Sequence, residues 1–156
     1  FEERFSSYIG CKYGVAVCNG TVALETALFA ADIGKGDEVI MPSFTIISCA
    51  SSAIRLGAKP VLVDSEPETW NMDVNQIEAK ITDLTKAIMP VHIYGLCADM
   101  AHFQSICKER SLILMEDAAQ AHGAEINGKK SGSWRLFDYR ELSKFGHLLE
   151  CHTILH

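Results

Sequence analysis

The sequence predicts an α/β fold with a mostly parallel sheet, arranged as a partial three-layer sandwich. Short apolar segments alternate with longer helical patterns three times in succession, an order typical of parallel strands joined by helices. Hydrophobic residues make up 48% of the chain and charged residues 22%, which is ordinary for a globular domain. With 156 residues, the chain is long enough for one domain with its own core.

The predicted elements follow one another along the chain in strand-helix order. Strands are predicted at residues 15–18, 38–41, 60–64, 87–92 and 112–116. Helices are predicted at residues 21–33, 45–56, 74–81 and 100–110. In the last helix, apolar residues recur at helical spacing behind Asp99, which can cap the helix start. This pattern predicts a helix with one face in the core.

Charge and cysteine content exclude several classes of function. A net charge of -6 argues against a broad phosphate-binding surface, and therefore against a nucleic-acid partner. The six cysteines show no C-x-x-C spacing, which favours reduced thiols in a cytoplasmic protein over disulfides or a zinc site. No apolar run reaches the roughly 18 residues of a membrane helix. We therefore expect no metal site and no membrane partner.

The segment 116–123, EDAAQAHG, directly follows the apolar run 112–115. Ligands in open α/β sheets bind beyond the carboxyl ends of the strands, where Asp117 would lie. A buried Asp at this position needs a cationic partner, such as the protonated pyridine nitrogen of pyridoxal phosphate. From these residues alone, a helix N-cap role for Asp117 is an equal alternative.

A second candidate site is the segment 19–23, NGTVA, which follows a predicted strand and opens a helix. Free N–H groups and the helix dipole bind phosphate at such a position. Gly20 allows close approach, and Thr21 can add a hydroxyl donor. The segment matches neither the Walker pattern nor G-x-G-x-x-G, so a plain capped helix start is the stronger alternative when the segment is taken alone. Together with Asp117, it could hold the opposite end of one cofactor.

The chain resembles the DegT/DnrJ/EryC1/StrS sugar aminotransferases, which are pyridoxal-phosphate enzymes of the aspartate-aminotransferase fold, fold type I. The similarity covers residues 1–134 and rests on ordered blocks: NGT at 19–21, GDEVI at 36–40, PSFT at 42–45, GAKPV at 57–61, TKAI at 85–88, PVHIYG at 90–95 and EDAAQAHG at 116–123. It implies that residues 1–134 are part of the large cofactor-binding domain.

The resemblance also implies which residues contact pyridoxal 5'-phosphate. The backbone at the start of the first helix would hold the phosphate, and Asp117 would pair with the ring nitrogen. Gln120 would lie against the ring, while Ile46 occupies a position where many relatives carry a stacking aromatic residue. An Ile keeps apolar contact there without ring stacking. The implied cofactor-binding residues are Gly20, Thr21, Val22, Ile46, Asp117 and Gln120.

Three further polar residues are interpreted as structural. His92 and Tyr94 lie at a predicted strand end, and a lone His at such a place is usually only hydrogen-bonded. His122 receives the same interpretation.

The lysine that bonds to the cofactor in this family is missing from the pattern. In the family it closes a Ser-Phe-x-x-x-Lys segment after a Gly-Ser-x-Gly-Asp turn. Here the turn begins at residues 132–134, GSW, but continues as Arg135-Leu136. Lys144 lacks the motif, and a solvated surface lysine is its expected role. We therefore expect no catalytic lysine in this chain, and residues 135–156 to be a tail unlike the family, produced by a frameshift or a mispredicted end.

Within the family, residues 41–50 and 69–73 are most similar to the perosamine-synthase branch. Its members transfer an amino group from glutamate to the 4-keto carbon of a GDP-linked 6-deoxy sugar. The resemblance implies that this chain is an inactive fragment of such an enzyme, whose parent is a homodimer. Two alternatives stay open: a sugar dehydratase of the same family, in which His replaces the lysine, and a non-catalytic interaction fragment.

Overall fold

A computed structural model describes residues 1–134 of the chain. The predicted tail 135–156, which includes Lys144, lies outside the described residues. The helices are α1 (Glu2–Ile9), α2 (Gly20–Ala30), α3 (Ile47–Arg55) and α4 (Met100–Arg110). The strands are β1 (Glu38–Pro42), β2 (Lys59–Val63), β3 (Thr85–Ile88), β4 (Ile113–Leu114), β5 (Glu125–Ile126) and β6 (Lys129–Lys130). No helix within this part is long and apolar enough to cross a lipid bilayer.

The main sheet has four parallel strands in the order β2-β1-β3-β4. From β1 the chain passes through α3 to β2 on one side, and it later returns to β3 on the other side of β1. The strand order therefore reverses between β1 and β3. In such sheets this switch point, at the carboxyl ends of the strands, is the usual place for a ligand. The α/β class predicted from the sequence is confirmed.

Helices cover both faces of the main sheet. Along β1, Val39 and Met41 pack with residues of α2 and α3, while Ile40 packs on the opposite face with residues of α4. All five residues of β1 are buried, as expected for a central strand covered on both sides. The same alternation continues through the end of β4, where Leu114 faces the α4 side and the next residue, Met115, faces the α2–α3 side. This alternation determines the directions of the next two side chains, Glu116 and Asp117.

Two predicted elements are wrong. Among the described residues, 15–18 form no strand of the sheet and Val15 makes only an isolated bridge; the N–H of Ala16 donates to the Glu2 carboxylate at 2.6 Å. Residues 74–81 form two short 3₁₀ helices, Val74–Gln76 and Glu78–Lys80, in place of an α-helix. The Asp73 side chain accepts from the N–H of Asn75, and such local side-chain bonds compete with a regular helix.

Two predicted strands are shorter than expected. In the segment 87–92 the ladder stops at Ile88, because Pro90 has no N–H to donate. Pairing resumes as an isolated parallel bridge between Val91 and Asp117. The predicted strand 112–116 is likewise reduced to β4, so the sheet reaches Asp117 as an irregular extension. The predicted helix 100–110 is confirmed, with Asp99 accepting from the N–H of His102 at 3.2 Å.

Candidate functional site

Asp117 lies just beyond the carboxyl end of β4 and is only 7% exposed. Its N–H donates to the carbonyl of Pro90 at 3.0 Å, and its own carbonyl accepts from the N–H of His92 at 3.2 Å. These two bonds attach Asp117 to the extension of β3. The residue therefore occupies the carboxyl edge of the sheet beside the switch point, as predicted.

The Asp117 carboxylate accepts hydrogen bonds only from neutral groups among the described residues. One oxygen accepts from the N–H of Ala119 at 3.0 Å, and the other accepts from the Cys49 thiol at 3.4 Å. No ion pair within residues 1–134 involves Asp117. The helix N-cap alternative is wrong, because the described chain after Asp117 forms turns and a short hairpin, not a helix. A buried carboxylate with neutral partners is suited to receive a cation.

Cys49 supplies one of these neutral donors from the first turn of α3. Burial and the negative charge of Asp117 raise the pKa of its thiol to about 12. The thiol therefore stays protonated near neutral pH and can donate to Asp117 without adding a charge. Thr45 lies behind it, with its hydroxyl 3.7 Å from the sulfur. Sequence reasoning missed Cys49, because only the fold brings it to a residue 68 positions away.

The amino end of α2 forms the other candidate end of the site. Asn19 caps the helix by accepting from the N–H of Val22 at 3.0 Å, so the capped start predicted as the alternative is present. The Val22 N–H is held by this cap, and the phosphate contact expected at Val22 stays a prediction. The N–H groups of Gly20 and Thr21 precede the first intrahelical bond and remain available. A Cβ added at Gly20 would meet no atom within 4 Å, which leaves open space for an anion.

The first turn of α3 joins the two ends. The hydroxyl of Ser48 lies 2.9 Å from the hydroxyl of Thr21. The next residue, Cys49, contacts Asp117. Two consecutive residues of α3 therefore touch the predicted phosphate end and the predicted ring-nitrogen end. This arrangement was not visible from the sequence, where the three segments are far apart.

Ile46 and Gln120 are both exposed. Ile46 is the residue that precedes α3, two positions before Ser48. The Gln120 side chain accepts from the N–H of Tyr94 at 2.9 Å. Tyr94 has a left-handed φ of 51°, which is rare for a bulky residue. The cofactor contacts of Ile46 and Gln120 stay predictions.

His92 is fully buried, and its ring makes two hydrogen bonds. Its Nδ1 accepts from the N–H of Ala98 at 3.1 Å, so the ring proton is on Nε2, which donates to Glu116 at 2.7 Å. Both ring nitrogens are therefore used inside the protein, in agreement with a structural role. His122 packs edge-on against Phe5, with ring centroids 5.8 Å apart. Within residues 1–134, no cluster of His, Cys, Asp and Glu side chains is suited to hold a metal ion.

These residues fit pyridoxal phosphate at both ends. The open helix end at Gly20 suits the phosphate, and the buried Asp117 suits a protonated ring nitrogen. A model of the DegT/DnrJ/EryC1/StrS aminotransferase family matches residues 1–140. The chain belongs to this family. The sequence resemblance is thereby confirmed, and the family is pyridoxal-phosphate-dependent.

Family members with known names and structures are similar over most of this chain. A GDP-perosamine synthase from Caulobacter vibrioides is 51% identical over 146 residues, covering 94% of this chain and 39% of that protein. A dTDP-3-amino-3,6-dideoxy-alpha-D-galactopyranose transaminase from Aneurinibacillus thermoaerophilus is 50% identical over 133 residues, covering 85% of this chain and 37% of that protein. The chain therefore spans about two fifths of the length of these relatives.

Solved structures agree with the fold. The structure of 3-amino-5-hydroxybenzoic acid synthase superposes with a TM-score of 0.83 at 45% identity, covering 85% of this chain and 35% of that one. A Bacillus subtilis protein with bound PMP superposes with a TM-score of 0.79 at 37% identity, covering 84% of this chain and 30% of that one. The fold type I architecture expected for this chain is confirmed.

Proposed function

We propose that residues 1–134 are part of the cofactor-binding large domain of a nucleotide-sugar aminotransferase. The observation that carries the proposal is the buried Asp117 carboxylate, which accepts only from Ala119 and Cys49 among the described residues. When bound, pyridoxal phosphate supplies an electron sink for moving an amino group. Asp117 would keep the ring nitrogen protonated, and the N–H groups of Gly20 and Thr21 would hold the phosphate. Ile46 and Gln120 would border the ring.

The proposed substrates are glutamate, as amino donor, and a nucleotide-linked keto sugar. The similarity to a GDP-perosamine synthase favours GDP-4-keto-6-deoxymannose within this class. The parent protein is proposed to be a cytoplasmic homodimer. The 156-residue chain is proposed to be inactive, because its sequence lacks the family's Ser-Phe-x-x-x-Lys segment.

Titration of the chain with pyridoxal phosphate tests the cofactor site. Asp117→Asn removes the charge but keeps an oxygen for Ala119, so the fold should persist. Loss of a charge-assisted hydrogen bond should lower cofactor affinity by about 10- to 100-fold. Asp32→Asn is the matched control, since Asp32 is exposed beyond the opposite end of α2. Absence of cofactor binding, or equal affinities for the two variants, would contradict the proposed site.

Resequencing the source DNA across codons 132–139 tests the assigned reaction. An intact Ser-Phe-x-x-x-Lys segment in another frame supports amino transfer by the parent. His at the lysine position supports the dehydratase alternative. An unbroken reading frame through residue 156 supports the non-catalytic alternative and contradicts the proposed frameshift.

A further inference from the structure

Glu116 is a buried carboxylate that the proposed cofactor site does not use. It is 7% exposed and precedes Asp117 directly, so the two side chains point to opposite faces of the extended chain. Asp117 faces Cys49 and the α2–α3 side, whereas Glu116 faces Trp134 and the α4 side. The chain beyond β4 thus carries two buried carboxylates, one on the α2–α3 side and one on the α4 side.

Three N–H donors converge on the Glu116 carboxylate. Oε1 accepts from His92 Nε2 and from the N–H of Gly132, each at 2.7 Å. Oε2 accepts from the N–H of Trp134 at 3.0 Å. Two of these donors are backbone groups of the last described segment, which belongs to no helix or strand. The Glu116 carboxylate therefore satisfies backbone groups that the sheet leaves unpaired.

Only a carboxylate can accept all three bonds. A glutamine has the same shape, but one of its oxygens is replaced by an NH₂ group, which is a donor. Whichever way the amide is turned, at least one of the two backbone N–H groups would face that NH₂ group. An unpaired buried donor is costly, so the chemistry of the site requires Glu at position 116.

We propose that Glu116 is a positioning residue that holds Gly132, Ser133 and Trp134 against the strand end carrying Asp117. Its importance for the reaction rests on the proposed function, in which the chain after this segment leads to the lysine of the parent enzyme. Glu116 fixes the point from which the chain departs toward residue 135. His92 holds Oε1 of Glu116 in place, because the His92 ring is itself fixed by the N–H of Ala98, which donates to Nδ1.

Trp134 provides a spectroscopic signal for the position of this segment. The chain has two tryptophans, of which Trp134 is 7% exposed and Trp70 is 58% exposed. In a Trp70→Phe background, the emission reports Trp134 alone. Glu116→Gln should shift this emission to longer wavelength, and amide exchange at Gly132 or Trp134 should accelerate about tenfold. Far-UV circular dichroism should be unchanged.

Glu125→Gln is the matched control, because Glu125 is an exposed acid near the same segment and pairs with Lys130. It should leave both the emission and the exchange at Gly132 and Trp134 unchanged. Unchanged emission and exchange in Glu116→Gln would overturn the proposal, as would an equal release of the segment in Glu125→Gln.

The unsubstituted protein gives a second test that does not depend on a variant folding. The N–H groups of Gly132 and Trp134 should exchange more slowly than that of Gly128, an exposed turn glycine between β5 and β6. Equal rates would overturn the proposal. None of these measurements needs pyridoxal phosphate, so failure of the cofactor site would show only in the Asp117→Asn titration.

Discussion

Cys49 shows at the scale of one residue how the fold changes ordinary chemistry. Its thiol is fully buried, and its pKa is raised to about 12 by burial and by Asp117. Cys107 has a similarly raised pKa of about 12, but burial alone causes it. Since the thiolate is the reactive form, both thiols should resist alkylation at neutral pH. Among the cysteines of residues 1–134, the exposed Cys18 should react first.

Alkylation followed by mass spectrometry of the cysteine peptides checks this prediction. Asp117→Asn removes one of the two causes of the raised pKa of Cys49. Labelling of Cys49 at alkaline pH should therefore accelerate in that variant, while labelling of Cys107 should not change. Rapid labelling of Cys49 at pH 7 in the folded chain would refute its role as a neutral donor.

Asp117 and Cys49 also mark how far the sequence predicts individual site residues. Asp117 was predicted from a local rule, because an acid after a buried strand lies at the ligand-binding edge of a parallel sheet. Cys49 follows no such rule, since its role depends on α3 packing beside the extension of β4. The roles of Ser48 and Glu116 likewise depend on contacts between distant segments. The local sequence pattern therefore locates Asp117, but the residues around it can be identified only from the tertiary structure.

At the scale of the element, different residues at the start of α2 stabilise the helix and offer N–H groups to an anion. Asn19 caps the helix through Val22, while Gly20 and Thr21 keep free N–H groups. Asn19→Ala removes the cap and should lower the free energy of unfolding by about 1 kcal/mol. Asn19→Asp keeps a capping oxygen but places a negative charge where a phosphate would bind.

Denaturant unfolding and cofactor titration together check this prediction. Asn19→Asp should keep nearly the stability of the unsubstituted chain and bind pyridoxal phosphate more weakly, whereas pyridoxal without its phosphate should be unaffected. Asn19→Ala should show the opposite pattern: its free energy of unfolding should fall more than its affinity for pyridoxal phosphate. If Asn19→Asp binds the phosphate-bearing cofactor as well as the unsubstituted chain, the phosphate does not lie at this helix end.

The accuracy of the predicted helices and strands differs from one element to the next, and each difference has a physical reason. Helix 100–110 has a start signal in Asp99 together with a periodic apolar face, and its predicted bounds match α4. The strand predicted at 87–92 ran past Pro90 because apolar residues continue there, although hydrogen-bond pairing cannot. Segment 74–81 was predicted as one helix, but the Asp73 side chain bonds to the N–H of Asn75 within it. Apolar pattern therefore predicts burial better than it predicts hydrogen bonding.

At the scale of the whole molecule, exposed apolar residues gather at the carboxyl edge of the sheet. The Phe44 ring lies 5.6 Å from the Trp70 ring and 6.4 Å from the Tyr94 ring, measured between centroids. All three side chains are exposed. Leu96 is 52% exposed, and its carbonyl accepts from the side chain of Asn71, the residue after Trp70. Grouped exposed apolar residues of this kind are typical of an interface. This surface, defined by Phe44, Trp70, Tyr94 and Leu96, supports the proposed homodimer.

We expect the same surface to join two copies of this chain, so sedimentation velocity over a range of concentrations should show a species of twice the chain mass. Leu96→Ser should weaken the association by about tenfold or more, because burying a leucine contributes about 1.5–3 kcal/mol. Leu84→Ser is the matched control: Leu84 is 55% exposed, but it precedes β3 and so lies at the opposite edge of the sheet. It should leave the association unchanged. A monomer at every concentration, or equal weakening by the two substitutions, would show that this surface does not join two copies of the chain.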